Sequence, residues 1–353
     1  MTIICATATR LDACITRASA GFNRLIGIAI LRIVIGIAGV QFYVSDYVHR
    51  EFLWGPNSYN SLTDASHQLR RGQFSLYFLD DSNVWFNVVF HLGLAAAIGF
   101  TIFGGRWLTL VHAVMLWSIY LRNQDILEGG DNLARILMLF MAFTVSNAYF
   151  APGAKQRRVM LESESVQRPV IPLLHNAAAT AMLVQIATVY FVAGYLKATG
   201  EIWTNGTAMY YISRIHQFSM FAWYPQAMNN AYLGWAVNYF TIIVEIAVPF
   251  VIWSKRATIR KLVTVSLEGM HVGIMVFMGL AAFGLIMIGA DSMILTDHDY
   301  QTLTGHVRRV TASILGRLGR SFDPPIAPTG TPPMTPSPTE PRRTRPTPEQ
   351  VGV

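Results

Sequence analysis

A lysine closes an apolar run in "VYFVAGYLKATGEIWTNGTAMYY", where Lys197 is followed by Trp203 and Gly206. At the end of an apolar helix, a lysine snorkels to the interface and complements the helix dipole. At the mouth of a dry cavity, desolvation would instead lower its pKa and make it a usable base. The residues leave both readings open. Other ionisable residues stand inside apolar runs: Arg32 in "GIAILRIVIGIAGV", Glu245 in "IIVEIAVPF", and His91 and His271. A charge at the centre of a span costs about 2.5–3.5 kcal/mol even on the most lenient scale, so each needs a partner or water. Arg32 and Glu245 are expected to form a buried pair, either as a lock between helices or as the wall of a polar cavity opening to the outer face.

The stretch "LRNQDILEGGDNLARILMLF" carries Asp125, Glu128, Asp131 and Arg135. Asp131 can cap the helix that Asn132 begins, well placed against its N-terminal dipole. Gly129 and Gly130 allow a tight turn into that helix. Asp131 and Arg135, one helical turn apart, also offer a polar rim. No His/Cys/carboxylate cluster has metal-ligand spacing.

The elements that must position these groups are transmembrane helices. Of 353 residues, 52% are hydrophobic and 13% charged, with a mean hydropathy of +0.37. Soluble domains carry about twice that charge. The net charge of +7 sits in short clusters between apolar runs, as in membrane loops, which argues against nucleic acid as a partner. Crossing roughly 30 Å of hydrocarbon takes about 20 apolar residues. Candidate spans are Arg24–Tyr43, Val84–Phe103, Trp107–Leu121, Asn132–Phe150, Ala177–Leu196, Tyr232–Trp253 and Leu262–Ala290. The last can tilt, kink near Gly269 or divide in two. The expected fold is therefore all-α, a polytopic bundle of about seven transmembrane helices over residues 24–290. A short N-terminal segment, 1–23, precedes it. A basic amphipathic segment, 291–322, follows, and then a Pro/Thr/Arg-rich tail, 323–353, too poor in apolar residues to order.

Lysine and arginine concentrate in alternate loops. Arg10, Arg17 and Arg24, then Arg106, then Lys155, Arg157, Arg158 and Arg168, then Lys255, Arg256, Arg260 and Lys261 mark one side, expected to be cytoplasmic. Seven crossings would leave the tail outside, against the pull of Arg308, Arg309, Arg317 and Arg320; an eighth would reverse only the tail. Cys5 and Cys14 precede the first span and form no recognisable pattern. The outer loops 44–83 and 197–231 are long. The second is rich in aromatic residues, as an interfacial belt or as a lid over a cavity.

The run Tyr190-Phe191-x-Ala193-Gly194-x-x-Lys197, followed by Trp203-x-x-Gly206, resembles the horizontally transferred transmembrane (HTTM) domain. That domain is shared by vitamin K-dependent gamma-carboxylase and bacterial relatives. "GGDNLARILMLFMAF" and "EGMHVGIMVFM" are consistent with it, and the likeness covers roughly residues 20–290. The resemblance implies that Lys197 is a base acting on a quinone-type cofactor. It also places Asp131 where the carboxylase has an assisting histidine, and an anionic carboxylate does not replace a hydrogen-bond-donating imidazole. No large substrate-gripping domain follows the spans. Both departures argue against glutamate carboxylation. The bacterial relatives include the membrane subunit that helps mature a sporulation-delaying peptide, acting with a small accessory membrane protein. The expectation is therefore a bacterial inner-membrane factor assisting maturation or export of a secreted peptide. Its outward-facing cavity would be built from Lys197, Asp131, Arg135, Arg32, Trp203, Glu245 and His271. The alternatives are a quinone-dependent enzyme and a non-catalytic anchor for a small partner.

Overall fold

Runs of apolar residues 20 or more long form the helices that cross the molecule in a computed structural model, which describes residues 21–320. The N-terminal residues 1–20, with Cys5, Cys14, Arg10 and Arg17, and the tail from 321 lie outside the described residues. Helices α1 (Leu25–Ser45), α2 (Asn83–Phe103), α3 (Arg106–Arg122), α4 (Gly129–Met141), α5 (Ala154–Gln167), α6 (Val170–Thr199), α7 (Ala231–Val251), α8 (Ala257–Met278), α9 (Ala281–Asp291) and α10 (Asp297–Arg320) account for most of the described chain, joined by shorter helical turns and loops. Among the described residues there is no strand.

Five helices, α1, α2, α6, α7 and α8, are long and apolar enough to cross a membrane, which makes this an all-α membrane protein. Two of the expected spans fall short of about 20 residues as helices: α3, expected over 107–121, has 17 residues, and α4 has 13. The fourth apolar run was expected to reach Phe150, but the helix stops at Met141 and residues 142–153 continue as turns.

The last expected span is two helices. Gly269 lies inside unbroken α8; the break comes at Gly279, whose φ of 75° is a conformation that glycine adopts without strain. The chain then folds back. A β-carbon on Gly284 of α9 would lie 3.0 Å from the carbonyl oxygen of His271, so α9 packs closely against α8. The return brings Met293 and Ile294 to the end of the bundle that holds Arg24. There the Arg24 guanidinium donates to the carbonyls of Met293 (2.5 Å) and Ile294 (2.7 Å), and more weakly to Ile252 at the end of α7 (3.5 Å). The Asp297 carboxylate accepts from the N–H groups of Leu25 (3.1 Å) and Ile26 (2.8 Å), two donors that α1 cannot satisfy itself. Arg260 makes a paired contact with buried Asp299. α10 thus begins at the Arg24 end of the bundle, as a further return after the seventh expected span would place it. Residues Gly305–Arg320 continue α10 as helix and form a separate unit.

The core runs through α1, α2, α3, α4, α6, α7 and α9, with Leu267 from α8. On α6 the buried residues His175, Ala179, Met182, Ile186, Tyr190 and Gly194 recur every three or four positions. That face, extended by three more residues, arrives at Lys197.

Candidate functional site

Gly194 sets the site. A β-carbon there would lie 2.8 Å from Ile246 Cγ1, 3.1 Å from its backbone nitrogen and 3.2 Å from Glu245 Cβ. Only glycine lets α6 and α7 approach this closely, and the approach delivers Lys197 to Glu245. The Lys197 Nζ donates to both carboxylate oxygens, at 2.5 and 2.6 Å. Glu245 is buried and Lys197 is one-fifth exposed at its side chain. The ammonium also lies 5.2 Å from the centre of the Trp203 ring. Pro249, four residues beyond Glu245, has no N–H to offer that residue's carbonyl, so the helix ladder is interrupted beside the pair.

The pair opens on a cavity of about 1070 Å³ between α4, α6, α7, α8, α9 and the 200–230 segment. Most of its lining is apolar. His271 joins Lys197 and Glu245 on the wall, with Tyr190 beside it. The His271 Nδ1 is 3.1 Å from Asp291 Oδ2, and the Tyr190 hydroxyl donates to Asp291 Oδ1 at 2.5 Å. All three residues are buried. Four helices, α6 to α9, therefore bring five ionisable residues together.

The 200–230 segment covers this chamber as a series of short turns. Met220 N–H donates to the Phe277 carbonyl at 3.0 Å, and Tyr239 hydroxyl donates to the Thr204 carbonyl at 2.7 Å. Trp223, Tyr224 and Phe277 form an aromatic group on the lining, with Tyr224 stacked on Phe277 at 5.6 Å and Trp223 edge-on at 5.7 Å.

Lys197, Trp203, Glu245 and His271 meet at the cavity as expected of one site; Arg32, Asp131 and Arg135 do not line it. Arg32 does not pair with Glu245. It is fully buried on α1 and donates to the carbonyls of Phe100 (3.5 Å) and Ile102 (3.2 Å) at the end of α2, where a cation suits the dipole, and of Phe150 (2.7 Å) in the turns after α4. Asp131 is not the N-cap of a helix beginning at Asn132: α4 begins at Gly129 with Glu128 as its N-cap, and Asp131 is the N3 partner in the capping box. Its carboxylate accepts from Tyr120 hydroxyl (2.6 Å) and from the Glu128 N–H (2.8 Å), and Glu128 completes the capping box. Glu128 also accepts from Phe283 N–H at 3.1 Å, satisfying a donor at the start of α9; burial and then the neighbouring Asp131 charge push its carboxyl up. Arg135 bonds Asn132 and lies over Trp117 and Tyr120 at 5.2 and 5.6 Å. His91 is exposed, bonded to Tyr47 (2.9 Å) and the Asn87 carbonyl (2.6 Å).

Asp291 escaped sequence reading because it falls at the edge of the last apolar run. The available signal was an acid inside "GLIMIGADSMIL", apolar on both sides. Among the described residues no cluster of His, Cys, Asp and Glu could hold a metal ion.

Fold and site together define an all-α membrane protein with a mainly apolar chamber and a few converging ionisable groups. The chain matches no family model, no curated protein and no solved structure.

Proposed function

We propose that this is an HTTM-type protein of the bacterial inner membrane that binds a lipophilic, ring-bearing molecule of the quinone class, with the ligand's polar end fixed on Lys197. The carrying observation is the Lys197–Glu245 ion pair on the wall of an otherwise mainly apolar chamber of about 1070 Å³. A site of this kind takes its affinity from apolar burial and its orientation from a few polar groups. The Trp223, Tyr224 and Phe277 rings supply faces on which a planar ring can stack. Both Glu245 carboxylate oxygens accept from the Lys197 Nζ, so in this reading the lysine serves as an anion anchor and hydrogen-bond donor.

In this reading the N-terminus is cytoplasmic, seven helices cross the bilayer with α3 and α4 among them, and α9 brings the chain back to the cytoplasmic side. The basic residues Arg308 and Arg309 suit that side. A second reading, assistance to maturation or export of a secreted peptide with a small accessory membrane protein, draws on the exposed aromatics Tyr211, Phe221 and Trp223 of the covering segment.

Quenching of intrinsic tryptophan fluorescence by an isoprenoid naphthoquinone, with the protein in lipid nanodiscs, tests the ligand. Saturable one-to-one quenching that weakens at least tenfold in Lys197→Met is expected. Quenching that rises linearly, equally in both proteins, would exclude it.

A further inference from the structure

Both Glu245 oxygens occupy the Lys197 Nζ, and a different residue of the chamber is placed to accept a proton. His271 is held from behind. Its Nδ1 meets Asp291, and Asp291 is itself fixed by the Tyr190 hydroxyl from α6. With the carboxylate accepting, the Nδ1 carries the proton, and the second ring nitrogen, Nε2, is left as an acceptor. Among the described residues no hydrogen bond engages Nε2, and His271 lines the chamber. Side chains that merely fill a core do not need a buried carboxylate and a second buried donor to fix one ring orientation.

We propose that His271 is the proton acceptor of this chamber, with Asp291 and Tyr190 as its positioning residues and Lys197 as the site of the resulting anion. This assignment rests on the chamber being a ligand site. A ligand hydroxyl gives its proton to Nε2; the O–H electron pair stays on the ligand oxygen, and that oxyanion sits against the Lys197 ammonium. The imidazolium formed is balanced by Asp291. No electrons leave the ligand, and the step reverses when Nε2 returns the proton. The charged and titratable groups around His271 come from every helix packed there: Tyr190 and Lys197 on α6, Glu245 on α7, Glu268 on its own helix, and Asp291 on α9. Glu245 is already bound to Lys197, which leaves Asp291 as the partner in direct contact.

The test is an alkyl-chained nitrophenol, whose ionised form absorbs separately from the neutral one. Its ionised fraction is followed against pH when bound to the purified full-length protein. In the wild type the bound phenol should ionise at least tenfold more readily than in empty micelles. His271→Gln should still bind it through Lys197 yet lose most of that gain, Asp291→Asn and the milder Tyr190→Phe should shift the profile part of the way, and Lys197→Met should weaken binding itself. If the His271→Gln profile matches the wild type, the assignment is overturned and the base lies elsewhere. A probe that binds but gains no ionisation in the wild type overturns the base while sparing the ligand site. A probe that does not bind the wild type overturns both. Thermal unfolding in detergent confirms that each variant is folded, and Tyr190→Phe supplies the reading if Asp291→Asn is not.

Discussion

At the scale of single residues, two charges set inside apolar runs are held in different ways, Glu245 by the Lys197 side chain and Arg32 by backbone carbonyls. Arg32 and Glu245 were legible as buried charges because each interrupts an apolar run. Their partners were not, since nothing in a sequence says which helices touch. The structure gives Glu245 to Lys197 and gives Arg32 three backbone carbonyls. The two sites should therefore respond differently to substitution. Lys197→Met leaves a buried carboxylate alone and should cost about 1–3 kcal/mol, less than a fully enclosed pair because the lysine is partly exposed. Adding Glu245→Leu should recover most of that loss without restoring ligand binding, a double-mutant cycle measurable by denaturant unfolding in mixed micelles. Arg32→Met should cost about 2–4 kcal/mol by stripping buried carbonyls of their donor, while ligand affinity stays the same. If affinity falls with Arg32, that residue belongs to the site after all. Asp131 was readable first as a cap and then as a reactant; its two acceptor bonds place it in the capping box of α4, whose N-cap is Glu128, and off the chamber lining.

At the scale of elements, the decisive features are a glycine and a turn. Gly194→Val should overpack the α6–α7 contact at about 1–3 kcal/mol and pull Lys197 from Glu245, weakening stability and ligand binding together. A stability loss with unchanged affinity would show that the ion pair tolerates a wider helix gap. The α8–α9 return was only half legible: the length of the apolar run allowed two pieces, but Gly279 carries no stronger local signal than Gly269. The return is fastened at the Arg24 end by Asp297, Arg260 and Asp299. Burial would push the Asp299 carboxyl up, but the Thr296 N–H and hydroxyl and the Arg260 guanidinium outweigh it and hold the group below its usual range. A carboxyl lowered in the folded state stabilises fully above its unfolded value of about 3.9 and loses that contribution as pH falls through the folded value. Asp299→Asn should accordingly weaken the wild-type advantage at neutral pH and flatten the acid limb of a stability–pH curve. An unchanged acid limb would place the acid sensitivity on other carboxylates.

At the scale of the whole molecule, composition pointed to helices in a bilayer, and the positions of α1, α2, α6 and α7 were legible because each is a long apolar run, whereas α8 was merged with α9. The number of crossings and their sidedness depend on α3, α4 and α9, whose lengths fall short of a plain span. With Cys5 and Cys14 replaced by serine, single cysteines at Ser165 and Thr302 should react with a membrane-impermeant maleimide from one side of intact cells, and one at Thr63 from the other. Labelling of Ser165 and Thr302 positions from opposite sides would contradict the return of α9. The central claim is that the chamber holds a lipophilic ligand against Lys197 and Glu245, and the most direct measurement is native mass spectrometry of the protein released from its own membranes. Gly269 lines the chamber, and a β-carbon there would meet nothing within 4 Å, so Gly269→Trp should fill the space without disturbing the packing. The account predicts one bound lipophilic molecule per wild-type chain and none on Gly269→Trp; a wild-type chain that carries none, or a variant that carries the same mass, would contradict it.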